Sequence, residues 1–156
     1  MYIKENIKIT FAEKTDLPEI LAIQRLAFEE QCEIYGNYHI PPMVETVDEA
    51  LREFENKLFL KAICNSEIVG SVRAYKKENT CYIERLSVAP RYQGNGIGSV
   101  LMLEIEKRFA DTHIFKLFTG EKSDKNIRIY EKIGYEIYET RKGKEGINLV
   151  FMIKQK

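Results

Sequence analysis

Histidine and cysteine are scarce in this chain, and their scarcity excludes much chemistry. Only two histidines occur, His39 and His113. They give poor support to a histidine metal site or a Ser-His-Asp triad, both of which need imidazole at the centre. The three cysteines, Cys32, Cys64 and Cys81, are odd in number and widely spaced, with no Cys-x-x-Cys. That pattern reads as free thiols in a reducing cytosol. No apolar run reaches membrane-spanning length, and Met-Tyr-Ile-Lys-Glu at the start lacks signal-peptide character. A cytoplasmic protein without membrane contact is expected. An excess of charge is missing too: 24 Lys plus Arg balance 24 Asp plus Glu. No basic field argues for nucleic acid. Anions must therefore be bound locally, by backbone and a few side chains.

What is present suits one domain over residues 1–156. A chain of 156 residues with 44% hydrophobic and 31% charged residues can bury a full core. Ile7 to Phe11 alternates as a first strand. Thr15-Asp-Leu-Pro-Glu starts a helix, with Pro18 tolerated in its first turn, and the pattern fades near Glu30. Gln31 to Val44 reads as an irregular loop. Thr46 begins a second helix to about Asn56. Strands are predicted over Leu58–Cys64, Ile68–Tyr75 and Cys81–Val88, joined by short antiparallel connections. A helix to about Ala110, a strand over His113–Thr119 and a helix capped by Ser123 and stopped at Gly134 follow. Strands over Tyr135–Arg141 and Ile147–Ile153 finish the order βααβββαβαββ. Helices would cover both faces of a mixed, mostly antiparallel sheet, an α/β (α+β) fold.

The chain is organised around Leu86-Ser-Val-Ala-Pro-Arg-Tyr-Gln-Gly-Asn-Gly-Ile-Gly-Ser99. It passes from a strand, through Gly94, Gly96 and Gly98, into a helix whose Ile97, Val100, Leu101, Ile105 and Phe109 share one stripe. The first N–H groups of a helix lack internal partners, and its dipole is positive there. Glycines permit positive φ and close approach of an anion. Gln93 to Ser99 therefore reads as a cradle for a diphosphate. The same glycines also suit a turn that merely ends a strand. No Lys-Ser/Thr follows, so this is no Walker A loop. The Gly-x-Gly-x-Gly spacing is not the dinucleotide fingerprint, which argues against a nucleotide-dependent oxidoreductase.

Gln93-x-x-Gly96-x-Gly98, after Leu86-Ser-Val88 and Pro90, resembles the acyl-CoA motif of the GNAT superfamily of N-acetyltransferases, Arg/Gln-x-x-Gly-x-Gly/Ala. A second element of that family, Asn126-Ile-Arg-Ile-Tyr130-Glu-Lys-Ile-Gly134-Tyr135, follows in the right order. The resemblance implies acetyl-CoA as co-substrate, no metal, and transfer to a primary amine by direct attack. It assigns the diphosphate to the backbone of Gln93, Gly94, Asn95, Gly96, Ile97, Gly98 and Ser99. It gives the pantetheine arm to the main chain of Leu86 and Val88, on a bulged strand that splays from its neighbour. Asn126 would bond the arm or a phosphate-side group, and Tyr130 would protonate the leaving sulfur. Gln93 stands where many relatives carry Arg, which removes a charge and keeps the main-chain donors. A homodimer is common in the resembled family, though no residue here indicates one.

The residues themselves leave several roles open. Asn126 and Tyr130, four apart, share a helix face. A phenol can donate while neutral at pH 7, and a helical Tyr also suits packing. In an unbulged strand Glu84 shares a face with Leu86 and Val88. It can take the amine proton, particularly if burial raises its pKa, bind a substrate ammonium, or pair with Arg73 or Arg85. Glu29, Glu30, Glu33, Tyr35 and Tyr38 lie where the resembled family forms its acceptor pocket. They suit a small cationic amine, or else a solvated loop with packed aromatics. Alternatives to that acceptor are a protein N-terminus or lysine. From another functional class, a non-catalytic acyl-CoA sensor or scaffold also fits.

Overall fold

The computed structural model describes residues 6–156. The N-terminal segment read for a leader, residues 1–5, lies outside the described residues. Seven strands form one mixed sheet in the order β1-β2-β3-β4-β5-β7-β6. They are β1 (Ile7–Phe11), β2 (Leu58–Cys64), β3 (Glu67–Lys77), β4 (Thr80–Val88), β5 (Ile114–Gly120), β6 (Glu136–Lys142) and β7 (Asn148–Gln155). The helices are α1 (Leu17–Tyr35), α2 (Pro41–Val44), α3 (Val47–Asn56), α4 (Ile97–Lys107) and α5 (Asp124–Lys132). Neighbouring strands are antiparallel except β4 and β5, which run parallel with α4 as the crossover. No helix among the described residues is long and apolar enough to cross a membrane.

The helices divide between the two faces. Leu17, Ile20 and Leu21 of α1 and Ala50 of α3 pack with Phe59 on one face. Ile97, Leu101, Met102 and Ile105 of α4 and Tyr130 of α5 pack with Leu60, Val72, Ile83 and Phe115 on the other. The stripe from Ile97 to Ile105 buries as its spacing requires. Thr46 and Glu49 form a reciprocal capping box: Thr46 Oγ1 accepts the Glu49 amide at 3.2 Å, and Glu49 Oε1 accepts the Thr46 amide at 2.9 Å.

Three sequence expectations change. First, α1 continues past Glu30 to Tyr35 and stops at Gly36, whose φ of 62° is left-handed. The expected irregular segment thus shrinks, and part of it forms α2. Second, Ser123 precedes α5 without bonding its amides; its Oγ is buried and has no partner among the described residues. Third, the bulge that the resemblance implies in β4 is present, and it changes the face expected for Glu84. Ser71 pairs with Ser87 and Arg73 with Glu84, so β4 uses one more residue than β3 across that interval, and Arg85 takes a φ of 57°. The extra residue turns side chains over. Leu86 and Val88 face α4, while Glu84 and Arg85 project to the α1–α3 face. Glu84 does not share a face with Leu86 and Val88.

Candidate active site

β4 and β5 part company early. They pair only at Thr80–Ile114, Cys81–Phe115 and Tyr82–Lys116. Beyond Tyr82, β4 has no strand on its β5 side among the described residues, so the sheet opens toward the C-terminal ends of two parallel strands. That is where α/β sheets commonly take ligands. A cleft of about 950 Å³ occupies the opening. Its wall includes Leu86 and Val88 of β4, the glycine turn, Asn126 and Ile129 of α5, and Phe28 and Ile34 of α1. It therefore reaches both faces of the sheet.

The turn between β4 and α4 is braced from within. The Ala89 amide bonds the Val69 carbonyl at 2.8 Å, and the Gln93 amide bonds the Pro90 carbonyl at 3.2 Å. The Gln93 side chain donates to the Val88 carbonyl at 3.0 Å. Asn95 Nδ2 donates to the Tyr92 and Gln93 carbonyls. Gly94 and Gly96 both have φ of 81°, a conformation costly for residues with a Cβ. Gly98 is already in the helix. A Cβ there would meet Ile129, Leu86 and Val88 side chains at 3.5 to 3.9 Å, ordinary contact.

The consequence is a run of free donors. From Gly94 to Ser99 no main-chain amide has a protein acceptor among the described residues; the next, Val100, bonds the Gly96 carbonyl at 3.1 Å. Those amides open α4, where the helix dipole adds positive charge. Gln93 differs from its expected role, since its amide and side chain both serve the turn. Lys122, Lys125, Arg128 and Lys132 also line the cleft, against Glu30 and Asp124. The mouth of the cleft thus gathers main-chain donors and basic side chains.

Tyr130 is 6% exposed and stacks edge-on against Tyr135, with centroids 6.2 Å apart. It stands next to Ile129, just behind the cleft wall. Burial pushes its pKa up, so the phenol stays protonated. Asn126 is on the wall.

Glu84 is engaged elsewhere. Its Oε2 accepts Arg73 Nε at 2.6 Å and Lys57 Nζ at 2.9 Å. Burial alone would raise its pKa. The Arg73 charge and the bonds from Lys57 and Arg73 outweigh burial and hold the carboxyl below its usual value. The condition that would make Glu84 a ready base, a raised pKa, is not met. Of the acceptor-pocket candidates, Glu30 lines the cleft and pairs with Lys125 at 3.1 Å. Tyr35 uses its hydroxyl to accept the Lys122 amide at 2.8 Å. A Cβ on Gly120 would sit 2.2 Å from that hydroxyl, so glycine is required beside it. Glu29, Glu33 and Tyr38 are exposed and do not line the cleft.

Sequence reasoning missed Phe28, Gln31 and Ile34 on the α1 wall. With α1 extended to Tyr35, Ala27, Gln31 and Ile34 fall at helical spacing on one side, which is the signal that would have found them. It also missed Glu45, a buried carboxylate from the α2–α3 junction. Glu45 accepts from Arg73 at 2.7 Å, Gln24 at 3.0 Å and Arg85 at 3.3 Å.

Known proteins carry this architecture. The protein described as UPF0157 protein YqkA of Bacillus subtilis (strain 168) is 28% identical over 137 residues; the match covers 88% of this chain and 39% of that protein. A protein described as an acetyltransferase of Yersinia pestis (strain Pestoides F) is 28% identical over 136 residues, covering 86% of this chain and 91% of its own. Among solved structures, the Paia N-acetyltransferase of Thermoplasma acidophilum in complex with coenzyme A superposes with a TM-score of 0.80 at 20% identity, over 96% of this chain and 99% of that one. YncA, a putative acetyltransferase of Salmonella typhimurium with acetyl-CoA, gives 0.74 at 20% identity, over 96% and 94%. These structures establish the shared fold. The family profile described as "Acetyltransferase (GNAT) domain" matches residues 29–156, from late α1 through the last strand. On that match the chain belongs to the GNAT acetyltransferase family.

Proposed function

We propose that the protein is an acetyl-CoA-dependent N-acetyltransferase that moves the acetyl group to a primary amine by direct attack in a ternary complex. One observation carries the reading: the unbonded amides from Gly94 to Ser99 stand at the mouth of the opening between β4 and β5. Bound acetyl-CoA would supply an activated thioester. The diphosphate rests on the amides of the turn, and the cleft lysines and arginine add charge. The peptide-like arm lies along β4, whose β5 side is unpaired at Leu86 and Val88, in the manner of an added strand. A main-chain amide there polarises the thioester carbonyl. The amine enters from the α1 side of the cleft.

We assign proton donation to the leaving sulfur to Tyr130, which lies directly behind the cleft wall beside Ile129 and carries a neutral phenol suited to it. Glu84 holds the Arg73 cluster together, and water in the cleft takes the amine proton. None of the cysteines lines the cleft, and Cys81, buried near Glu106, has its thiol pushed up to about 12. This supports attack without an acyl-enzyme. Acceptor-stimulated thiol release with a panel of amines, with mass detection of the acetylated product, tests the proposal. Tight acetyl-CoA binding with no acceptor-stimulated release would favour the sensor reading. A pure sample that fails to bind acetyl-CoA at millimolar concentration would end both.

A further inference from the structure

The α1 wall of the cleft offers hydrocarbon and little free charge. Its lining residues are Ala27, Phe28, Glu30, Gln31 and Ile34. Ala27, Gln31 and Ile34 are spaced by four and three, so they share one side of α1, with Phe28 at its edge. Ala27, Phe28 and Gln31 are half-buried, and Ile34 is 44% exposed. An isoleucine held open on a cleft wall is apolar surface that a ligand can cover. The acids expected to receive a cationic acceptor are not free there. Glu29 and Glu33 do not line the cleft, and Glu30 pairs with Lys125 of α5 at 3.1 Å.

This wall is held in place. The bond from the Lys122 amide to Tyr35 Oη and the Lys125–Glu30 pair tie the end of α1 to the start of α5, and α1 packs against β3 and β4. The rest of the lining has other chemistry. The glycine turn presents its amides, Leu86 and Val88 flank the path of the arm, and the α5 side presents Lys122, Lys125, Arg128 and Lys132. Against these four cations the lining holds two carboxylates, Glu30 and Asp124. A second ammonium on the acceptor therefore enters a cleft short of free carboxylate. A hydrocarbon meets no such barrier and gains by covering Phe28 and Ile34.

Resting on the transferase reading above, we infer that the acceptor is a small primary amine on an apolar body, an alkylamine or arylalkylamine with a single charge. Its hydrocarbon packs on Phe28 and Ile34, which makes them specificity residues. Gln31, three residues from each, is the one uncharged polar side chain on that wall. The amine reaches the thioester beside Leu86. There the neutral nitrogen attacks the thioester carbon, the C–N bond forms as the C–S bond breaks, and the proton lost from nitrogen balances the one gained by the thiol. A polyamine is disfavoured by its additional charge.

The test measures kcat/KM, per neutral amine, for straight-chain amines from propylamine to hexylamine, for phenethylamine and for hexamethylenediamine. Each added methylene should raise kcat/KM by up to about fourfold, the worth of one buried methylene, and phenethylamine should rank with hexylamine. Hexylamine should exceed hexamethylenediamine, its match in length with a second ammonium, by at least about tenfold. Ile34→Glu should close or reverse that gap, and Phe28→Ala should flatten the dependence on length, both chiefly through KM and with acetyl-CoA binding by calorimetry retained. Ile34 is exposed, so its exchange probes the wall without disturbing the core. On the unaltered protein, a rate independent of chain length, a diamine used as well as hexylamine, or turnover confined to amino acids or peptides overturns the inference and leaves the transferase reading intact. Preferences untouched by both variants also overturn it. Acetyl-CoA binding with no turnover of any amine overturns the transferase reading, and this one with it.

Discussion

At the residue scale, the two carboxylates beside Arg73 and the phenol of Tyr130 have separable jobs. Tyr130→Phe should lower turnover by about 10²-fold or less, the low end of acid catalysis, with acetyl-CoA affinity nearly unchanged. Thiol-release kinetics beside calorimetry decides this; unchanged turnover would show that Tyr130 only packs. With Glu84 proposed as an ion-pair partner of Arg73 and Lys57 and water as proton acceptor, Glu84→Gln should lower the melting temperature and leave the pH dependence of turnover in place; a lost alkaline-side dependence would make Glu84 the base. Glu45→Gln removes the charge that faces two arginines. Breaking a buried pair costs about 3 kcal/mol, or roughly 6–12 °C in a domain of this size. Glu45 and Glu84 are both held below their ordinary value of 4.5 by Arg73 and its neighbours, against burial. The stability they add is therefore complete above that value and is lost as pH falls through their native values. The urea midpoint should hold steady down to the ordinary carboxylate range and drop below it, with a flatter drop in Glu45→Gln.

At the scale of elements, the glycine turn makes a sharper prediction than any side chain. Gly96 precedes α4 at φ 81°, and Gly98 lies inside it with room for a methyl. Gly96→Ala should cost about 1–2 kcal/mol in stability and weaken acetyl-CoA binding by at least about tenfold, because a Cβ both strains the turn and tilts the amides. Gly98→Ala should melt no lower than the parent and gain up to about 1 kcal/mol, since alanine suits a helix interior better. Thermal melts and calorimetry on the two variants separate conformational demand from mere smallness. Much of this element was legible in the sequence. Positive φ at Gly94 and Gly96 follows from where glycine is needed, and the α4 stripe from its spacing. The function of Gln93 was not legible, because its bonds to Val88 and Pro90 depend on how the turn folds back.

At the scale of the whole molecule, the opened sheet couples ligand binding to stability. A ligand bridging the turn, β4 and α5 binds only the folded chain. Acetyl-CoA at about 100 times its dissociation constant should add roughly 2.7 kcal/mol, raising the melting temperature by about 5–10 °C. A thermal-shift titration measures this, and Gly96→Ala should need proportionally more ligand for the same rise.

The amino-acid order alone determined the order of the seven strands and of the four longer helices, the α4 stripe, a helix start at Thr46 and the positions of the glycine turn and Asn126–Tyr130. These are local matters of periodicity, capping and backbone freedom, written within a few residues of where they act. The tertiary structure decided which face Glu84 presents, that Glu45 joins Arg73, that α1 reaches the cleft, and that Tyr35 needs Gly120. Each of these depends on partners far apart in the chain. A one-residue bulge, invisible in an apolar pattern, exchanged the two faces of β4 and put Glu84 and Arg85 beside Arg73 and Glu45.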